Sequence, residues 1–285
     1  MPWTPNAEIP NQKSKASPAL AALVGANRAL LHMVHLGDSS NNIWHSTFDG
    51  NGNGIWTPNV TIPGQKSKAA PALAVYREQL HMVHLGDSSN DIWHSRLNGS
   101  TWTPNVRIPG QKSKSAPALA TFRNQLHMVH LGDSSNDIWH SWFDGNTWTP
   151  NVRIPGQKSK AAPALGVLSA GGGPELHMVH LGDSSNDIWH SRFDGNTWTP
   201  NVRIPGQKSK APPALASGGR LHMLHLGDSS NEIWQSIFDG DTWTTNVRIG
   251  QTSRAAPALT LFVGVLHMVH LGSNSNHIFW ATFFD

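Results

Sequence analysis

Two short polar phrases recur along the chain and gather side chains that suit a hydroxyl-rich ligand. Gly-Asp-Ser-Ser-Asn begins at Gly37, Gly86, Gly132, Gly182 and Gly227. Gly-Gln-Lys-Ser-Lys begins at Gly64, Gly110, Gly156 and Gly206, with Asn11-Gln12-Lys13-Ser14-Lys15 as a near copy. An aspartate carboxylate accepts two hydroxyl protons, an amide both donates and accepts, and a serine does either. The first phrase supplies Asp38, Ser39 and Asn41, then Asp87, Ser88 and Asn90, Asp133, Ser134 and Asn136, Asp183, Ser184 and Asn186, and Asp228, Ser229 and Asn231. The second supplies Gln65 and Ser67, Gln111 and Ser113, Gln157 and Ser159, and Gln207 and Ser209. Trp44, Trp93, Trp139, Trp189 and Trp234 follow the first phrase closely and offer an aromatic face to the less polar side of a sugar ring. The chemistry is that of neutral carbohydrate recognition, with the lysines donating to sugar oxygens, neutralising the aspartate or staying in solvent. Turn formation explains the glycines and some of the Asn and Ser. It does not explain retaining Asp, Gln and two Lys together; a packed polar loop network is the competing reading.

Histidine is the other abundant functional side chain, at 17 residues. In Leu80-His81-Met82-Val83-His84-Leu85 the two imidazoles fall on opposite faces of a strand, so they do not chelate one ion as a pair. A hairpin turning between Ser88 and Ser89 places His84 across from Trp93 and His94 across from Val83. His35, His84, His130, His180 and His225 thus lie near the loop end, and burial within the sheet is the plainer role. No metal and no other cofactor is expected.

The elements that must carry these side chains repeat. Trp-Thr-Pro/Thr-Asn starts at Trp3, Trp56, Trp102, Trp148, Trp198 and Trp243, with spacings of 53, 46, 46, 50 and 45 residues. Such periods with several short strands per unit indicate propeller blades. In the second copy the strands read Pro71 to Val75, Leu80 to Leu85, Asp91 to Leu97 and Trp102 to Ile108, named a to d from the inside outward. The last copy supplies a (Ala256 to Thr260), b (Leu266 to Leu271) and c (His277 to Phe284) but no d, and the missing strand stands at the beginning as Trp3 to Ile9. Residues 1–285 therefore form one all-β domain, a six-bladed β-propeller of four-stranded blades closed by pairing the N-terminal strand with the last blade. The tryptophans opening strand d are read as packing residues.

Composition narrows the classes. A formal charge of +3 without a basic stripe argues against nucleic acid. Absence of cysteine excludes thiolate sites and disulfides. No apolar run reaches spanning length, and no signal peptide is visible. The expectation is a soluble protein without transmembrane insertion, cytoplasmic or released without a classical signal peptide.

The stretch from strand c to strand d, Ser141-Trp142-Phe143-Asp144-Gly145-Asn146-Thr147-Trp148, resembles the Asp-box hairpin of sialidases and related propellers. It matches their Ser-x-Asp-x-Gly-x-Thr-Trp at Ser, Gly, Thr and Trp, with the aspartate one place later. The whole chain looks like the bacterial and fungal propeller lectins, a resemblance that implies multivalent glycan binding of the haemagglutinin kind. Sialidases use an arginine cluster and a tyrosine nucleophile assisted by an acid. The single tyrosine here, Tyr76, lies in a variable a-to-b segment. The carboxylates repeat alike in successive blades, whereas glycoside hydrolysis needs unlike ones. No enzyme is expected.

The a-to-b segments Tyr76 to Gln79, Phe122 to Gln125, Leu168 to Glu175 and Ser217 to Arg220 differ freely, while the b-to-c and d-to-a loops keep their residues. That contrast places repeated glycan sites on the face formed by the b-to-c and d-to-a loops, with glycans or glycoconjugates as partners; a structural or protein-interaction propeller is the alternative. The final b-to-c loop carries Ser273 in place of the aspartate, followed by Phe279 and Trp280, and the preceding d-to-a loop diverges as Gln251-Thr252-Ser253-Arg254, so the site containing that b-to-c loop is expected to be weak or absent. Which d-to-a loop shares each pocket is left open by the sequence, and so is the oligomeric state.

Overall fold

The computed structural model describes residues 3–25, 28–50, 55–170 and 173–284; residues 171 and 172, within one of the variable a-to-b segments, lie outside them. Six antiparallel sheets, each with strand order a-b-c-d, form a ring. The second blade consists of Ala72–Tyr76, Gln79–Leu85, Asp91–Asn98 and Val106–Lys112. Every innermost strand contacts its counterparts on both sides, including Ala19–Val24 of the first blade with Ala258–Phe262 of the sixth, so the ring is closed. The N-terminal strand Ala7–Lys13 pairs with His277–Phe283, and the Thr4 amide donates to the Thr282 carbonyl at 2.9 Å.

Strand b of each blade reads as a continuous apolar and histidine run because each sheet is covered on both faces. Leu80, Met82, Val83 and Leu85 are all fully buried. The core lies between blades: Val83, Leu85, Ile92 and Ile108 of the second pack against Leu119, Leu126, Met128 and Phe143 of the third. Hydrophobic burial therefore holds neighbour to neighbour around the ring.

The outer strand begins later than the sequence suggests. Trp102 makes a short pairing with Leu97, and Pro104, which has no amide proton, ends it. The outer strand then runs from Val106 through Gly110-Gln111-Lys112, so most of the second polar phrase is strand rather than loop. The first outer strand is shifted in the same way, to Ala7–Lys13 instead of Trp3 to Ile9. A wide bulge intervenes, with Arg107 opposite Trp93 and Lys112 opposite Asp91. Pro109 lacks a donor, and Gly110 turns the chain at φ 70°, a left-handed conformation that glycine takes freely. Proline and bulge also protect this edge from pairing with another sheet.

Histidine pairs lock adjacent blades. The register sets His84 across from Trp93 and His94 across from Val83, as the hairpin geometry required. Trp148 of the third blade donates its indole N–H to His94 Nδ1 of the second at 3.2 Å. His94 Nε2 stands 2.9 Å from His81 Nδ1, so a neutral His94 accepts from the indole and donates onward. Trp102, Trp198 and Trp243 make the same bond to His45, His140 and His190. Burial pushes His94 down to about 3, helped by the neighbouring charges of His81 and Arg96, and the network works as a neutral one.

Candidate functional site

At the end carrying the b-to-c loops, each loop asparagine reaches to the next blade. Asn41 donates to Asp87 at 2.5 Å, Asn90 to Asp133 at 2.6 Å, Asn136 to Asp183 at 2.5 Å and Asn186 to Asp228 at 2.6 Å. Asn231 donates to Ser273 at 2.9 Å, and Asn276 to Asp38 closes the cycle at 2.5 Å. Lys15, Lys68, Lys114, Lys160 and Lys210 donate to the same asparagines' carbonyls. The loop tip is tight: a Cβ at Gly86 would collide with Ser89 Oγ and press on Trp93 Nε1.

The second phrase divides by strand alternation. Lys112 and Lys114 face solvent, whereas Gln111 and Ser113 face inward at 1% and 0% exposure. Gln111 donates to the Thr149 carbonyl at 2.9 Å and accepts from Ser141 at 2.9 Å, clipping the third blade to the second. Gln65, Gln157 and Gln207 make the same two bonds at their own interfaces. Ser67, Ser113, Ser159 and Ser209 are wholly buried and donate to the carbonyl two residues on. The glutamine amides thus serve the blade interfaces, and the serine hydroxyls the turn that follows each outer strand.

Asp38, Asp87, Asp133, Asp183 and Asp228 remain exposed, with Ser88 beside Asp87 also at the surface and Ser39, Ser134, Ser184 and Ser229 in matching places. Trp44, Trp93, Trp139, Trp189 and Trp234 are half-buried. Between the first and second blades these groups line a cleft of about 320 Å³ made by Gly64 and Lys66 on one side and Gly86, Asp87, Ser88, Ser89, Trp93 and Asn105 on the other. This cleft joins the outer-strand end of one blade to the b-to-c loop of the next. Thr252, Ser273 and Phe279 stand at the positions equivalent to Lys66, Asp87 and Trp93, all at the junction of the fifth and sixth blades.

The opposite end has wider clefts that sequence reasoning missed. Three in succession, of about 670, 650 and 620 Å³, lie between the second and third, third and fourth, and fourth and fifth blades. The first is walled by His94, Arg96, Val106 and Pro109 on one side and Phe143, Asn146, Thr147 and Trp148 on the other. Val106, Val152 and Val202 are 67%, 61% and 68% exposed along these rims. The valine that follows Trp-Thr-Pro-Asn at Val60, Val106, Val152 and Val202 was the available signal. The floor varies, with Arg96, Trp142 and Arg192 at one position. The Asp-Gly turn of each cleft is structural: Asp144 Oδ1 accepts the amides of Asn146 and Thr147 at 2.7 and 2.8 Å. Those backbone bonds, Thr147's first, hold the Asp144 carboxyl below its ordinary range.

Among the described residues no three His, Asp or Glu side chains converge as a metal set. No described helix is long and apolar enough to cross a membrane. No protein-family model matches the sequence, and neither does any curated protein. Solved structures do match in fold. AofleA from Arthrobotrys oligospora superimposes with a TM-score of 0.73 at 12% identity, covering 99% of this chain and 87% of that one. A variant of Aleuria aurantia lectin in complex with α-methyl-L-fucoside gives 0.65 at 12% identity, covering 95% and 93%. A subtype N10 neuraminidase-like protein of A/little yellow-shouldered bat/Guatemala/060/2010 gives 0.62 at 8% identity, covering 99% and 97%. At these identities the likeness is one of fold, shared by lectins and sialidase-like propellers.

Proposed function

We propose that the chain is a multivalent carbohydrate-binding protein without catalytic activity, holding glycans in clefts between neighbouring blades. The observation that carries this reading is the three wide clefts in succession, each walled by tryptophan, histidine, proline and an exposed valine. A pocket of this size with an indole and a few polar groups suits one or two sugar units. The valine rim favours a sugar with an apolar edge, such as the methyl-bearing fucoside bound by the Aleuria lectin. The smaller clefts of the b-to-c and outer-strand face, with Asp87, Ser88 and Trp93, form a second ring of candidate sites. The lone tyrosine, Tyr76, is 2% exposed, which supports a non-catalytic role.

Several weak sites on one body raise apparent affinity by roughly 10² to 10⁴ when the glycan is displayed in many copies. Glycan-array binding, followed by titration of the best ligand, tests the proposal. Val152→Asp introduces charge at an exposed rim and should remove one wide-cleft site while leaving thermal stability unchanged. Asp133→Asn tests the opposite ring in the same assay. A chain that binds no array glycan, or that binds multivalent and free sugar with equal potency per residue, does not have this function.

A further inference from the structure

The two halves of the ring differ in charge. The half bearing the b-to-c loops and outer-strand ends carries fifteen Lys and Arg against ten Asp and Glu, whereas the opposite half carries six against seven among the described residues. Much of the excess is a ring of five exposed lysines, Lys13, Lys66, Lys112, Lys158 and Lys208. None of them makes a hydrogen bond or ion pair among the described residues, unlike the neighbouring lysines that hold the loop asparagines. Lys66 lines the 320 Å³ cleft across from Trp93 and Asp87.

We infer that this smaller cleft takes a sugar unit bearing one negative group, a carboxylate or a sulfate. Trp93 offers the ring face, and the oxygen of Asp87 not engaged by Asn41 accepts a hydroxyl proton. Lys66, with no partner of its own, supplies the charge that a neutral sugar would leave unanswered. Asn41 already occupies one oxygen of Asp87, which tempers repulsion of an anionic ligand. At the junction of the fifth and sixth blades Thr252, Phe279 and Ser273 stand at the positions of Lys66, Trp93 and Asp87, so all three parts of the arrangement are missing there together. The inference concerns a different ring of clefts from the wide, valine-rimmed one, so either can fail alone.

Calorimetric titration of the whole chain with sodium glucuronate, glucose 6-sulfate and glucose tests it. At least one acidic sugar is expected to bind about tenfold or more tightly than glucose, at five sites per chain, and the tighter of the two identifies the group. Replacing Lys13, Lys66, Lys112, Lys158 and Lys208 with Gln should abolish that preference without changing the melting temperature. Thr252→Lys with Ser273→Asp and Phe279→Trp should add a sixth site. Glucose binding as tightly as both acidic sugars, preference surviving in the Gln variant, or inorganic sulfate displacing the sugar sulfate mole for mole would overturn the inference. If that fails while the Val152→Asp result stands, glycan binding remains at the wide clefts alone.

Discussion

Among the described residues Gln251 Oε1 is buried without a partner, because Ala281 occupies the place held by Ser46, Ser95, Ser141, Ser191 and Ser236 in the other blades. The amide nitrogen of Gln251 still donates to the Thr4 carbonyl at 2.9 Å. The interface between the fifth and sixth blades therefore lacks half of a clip that its five counterparts make in full.

Ala281→Ser should restore that half. The added hydroxyl donates to Gln251, as Ser141 donates to Gln111, and a satisfied buried acceptor contributes about 1 kcal/mol. The expected result is a melting temperature raised by roughly 2 °C, read by calorimetry. An unchanged or lowered value would mean that the site does not admit the hydroxyl.

Trp148→Phe should act in the opposite direction. Phenylalanine keeps most of the packing but removes the indole donor, leaving His94 Nδ1 buried without its 3.2 Å partner. The cost is that of an unsatisfied buried acceptor, about 1–3 kcal/mol, in denaturant unfolding. A loss well below 1 kcal/mol would show that the bond adds little to the packing it accompanies.

Acid should open the ring at mild pH. Burial lowers His32, His94, His140 and His190 to about 3 and His35, His84, His130 and His180 to about 4, against about 6.5 in an unfolded chain. Folded pKa values below the unfolded one give stability that is full above pH about 6.5 and is lost as pH falls toward 4. Each neutral histidine contributes a slope of up to about 1.4 kcal/mol per pH unit in that window. Several together exceed the 5–15 kcal/mol that typically holds a domain. Tryptophan fluorescence should report cooperative unfolding between pH about 6.5 and 4; a native spectrum at pH 4 would contradict it.

Gly110→Ala and Gly110→Asn should differ. No atom lies within 4 Å of a Cβ built at Gly110, so only its φ of 70° resists substitution. Alanine should cost about 1 kcal/mol. Asparagine should cost less, because Asn11 stands at the equivalent place with φ 59°. Equal losses in thermal unfolding would refute this division.

The number of blades, their order of strands and the closure at the N-terminal strand were legible because the repeat writes each hairpin several times. The start of the outer strand was not, because Trp102 does pair briefly before Pro104 interrupts, and a bulge containing Pro109 and Gly110 has the composition of a loop. Site residues divided along the same line. Asp87 and Trp93 are accessible as their types suggested, while Gln111 and Ser113 point inward through an alternation visible only once Gly110 to Lys112 is seen to be strand. Gln111 bonds between blades and Ser113 closes the turn that follows, and one chain read alone does not separate retention for such bonds from retention for a ligand.

The clip and the latch run in fixed directions: Gln111 of the second blade grips the third, and Trp148 of the third reaches back to the second. One heterologous contact, repeated around the ring with a rotation that closes, makes the chain resemble a cyclic hexamer whose subunits share a backbone, although the clip is halved between the fifth and sixth blades and the Trp56 indole, between the sixth and first, is buried without a partner among the described residues. Blade count is then a property of the angle at each contact rather than of any single blade. A two-blade segment is expected to close as a trimer and a three-blade segment as a dimer. A seventh repeat would have to strain every contact or open the ring into a spiral.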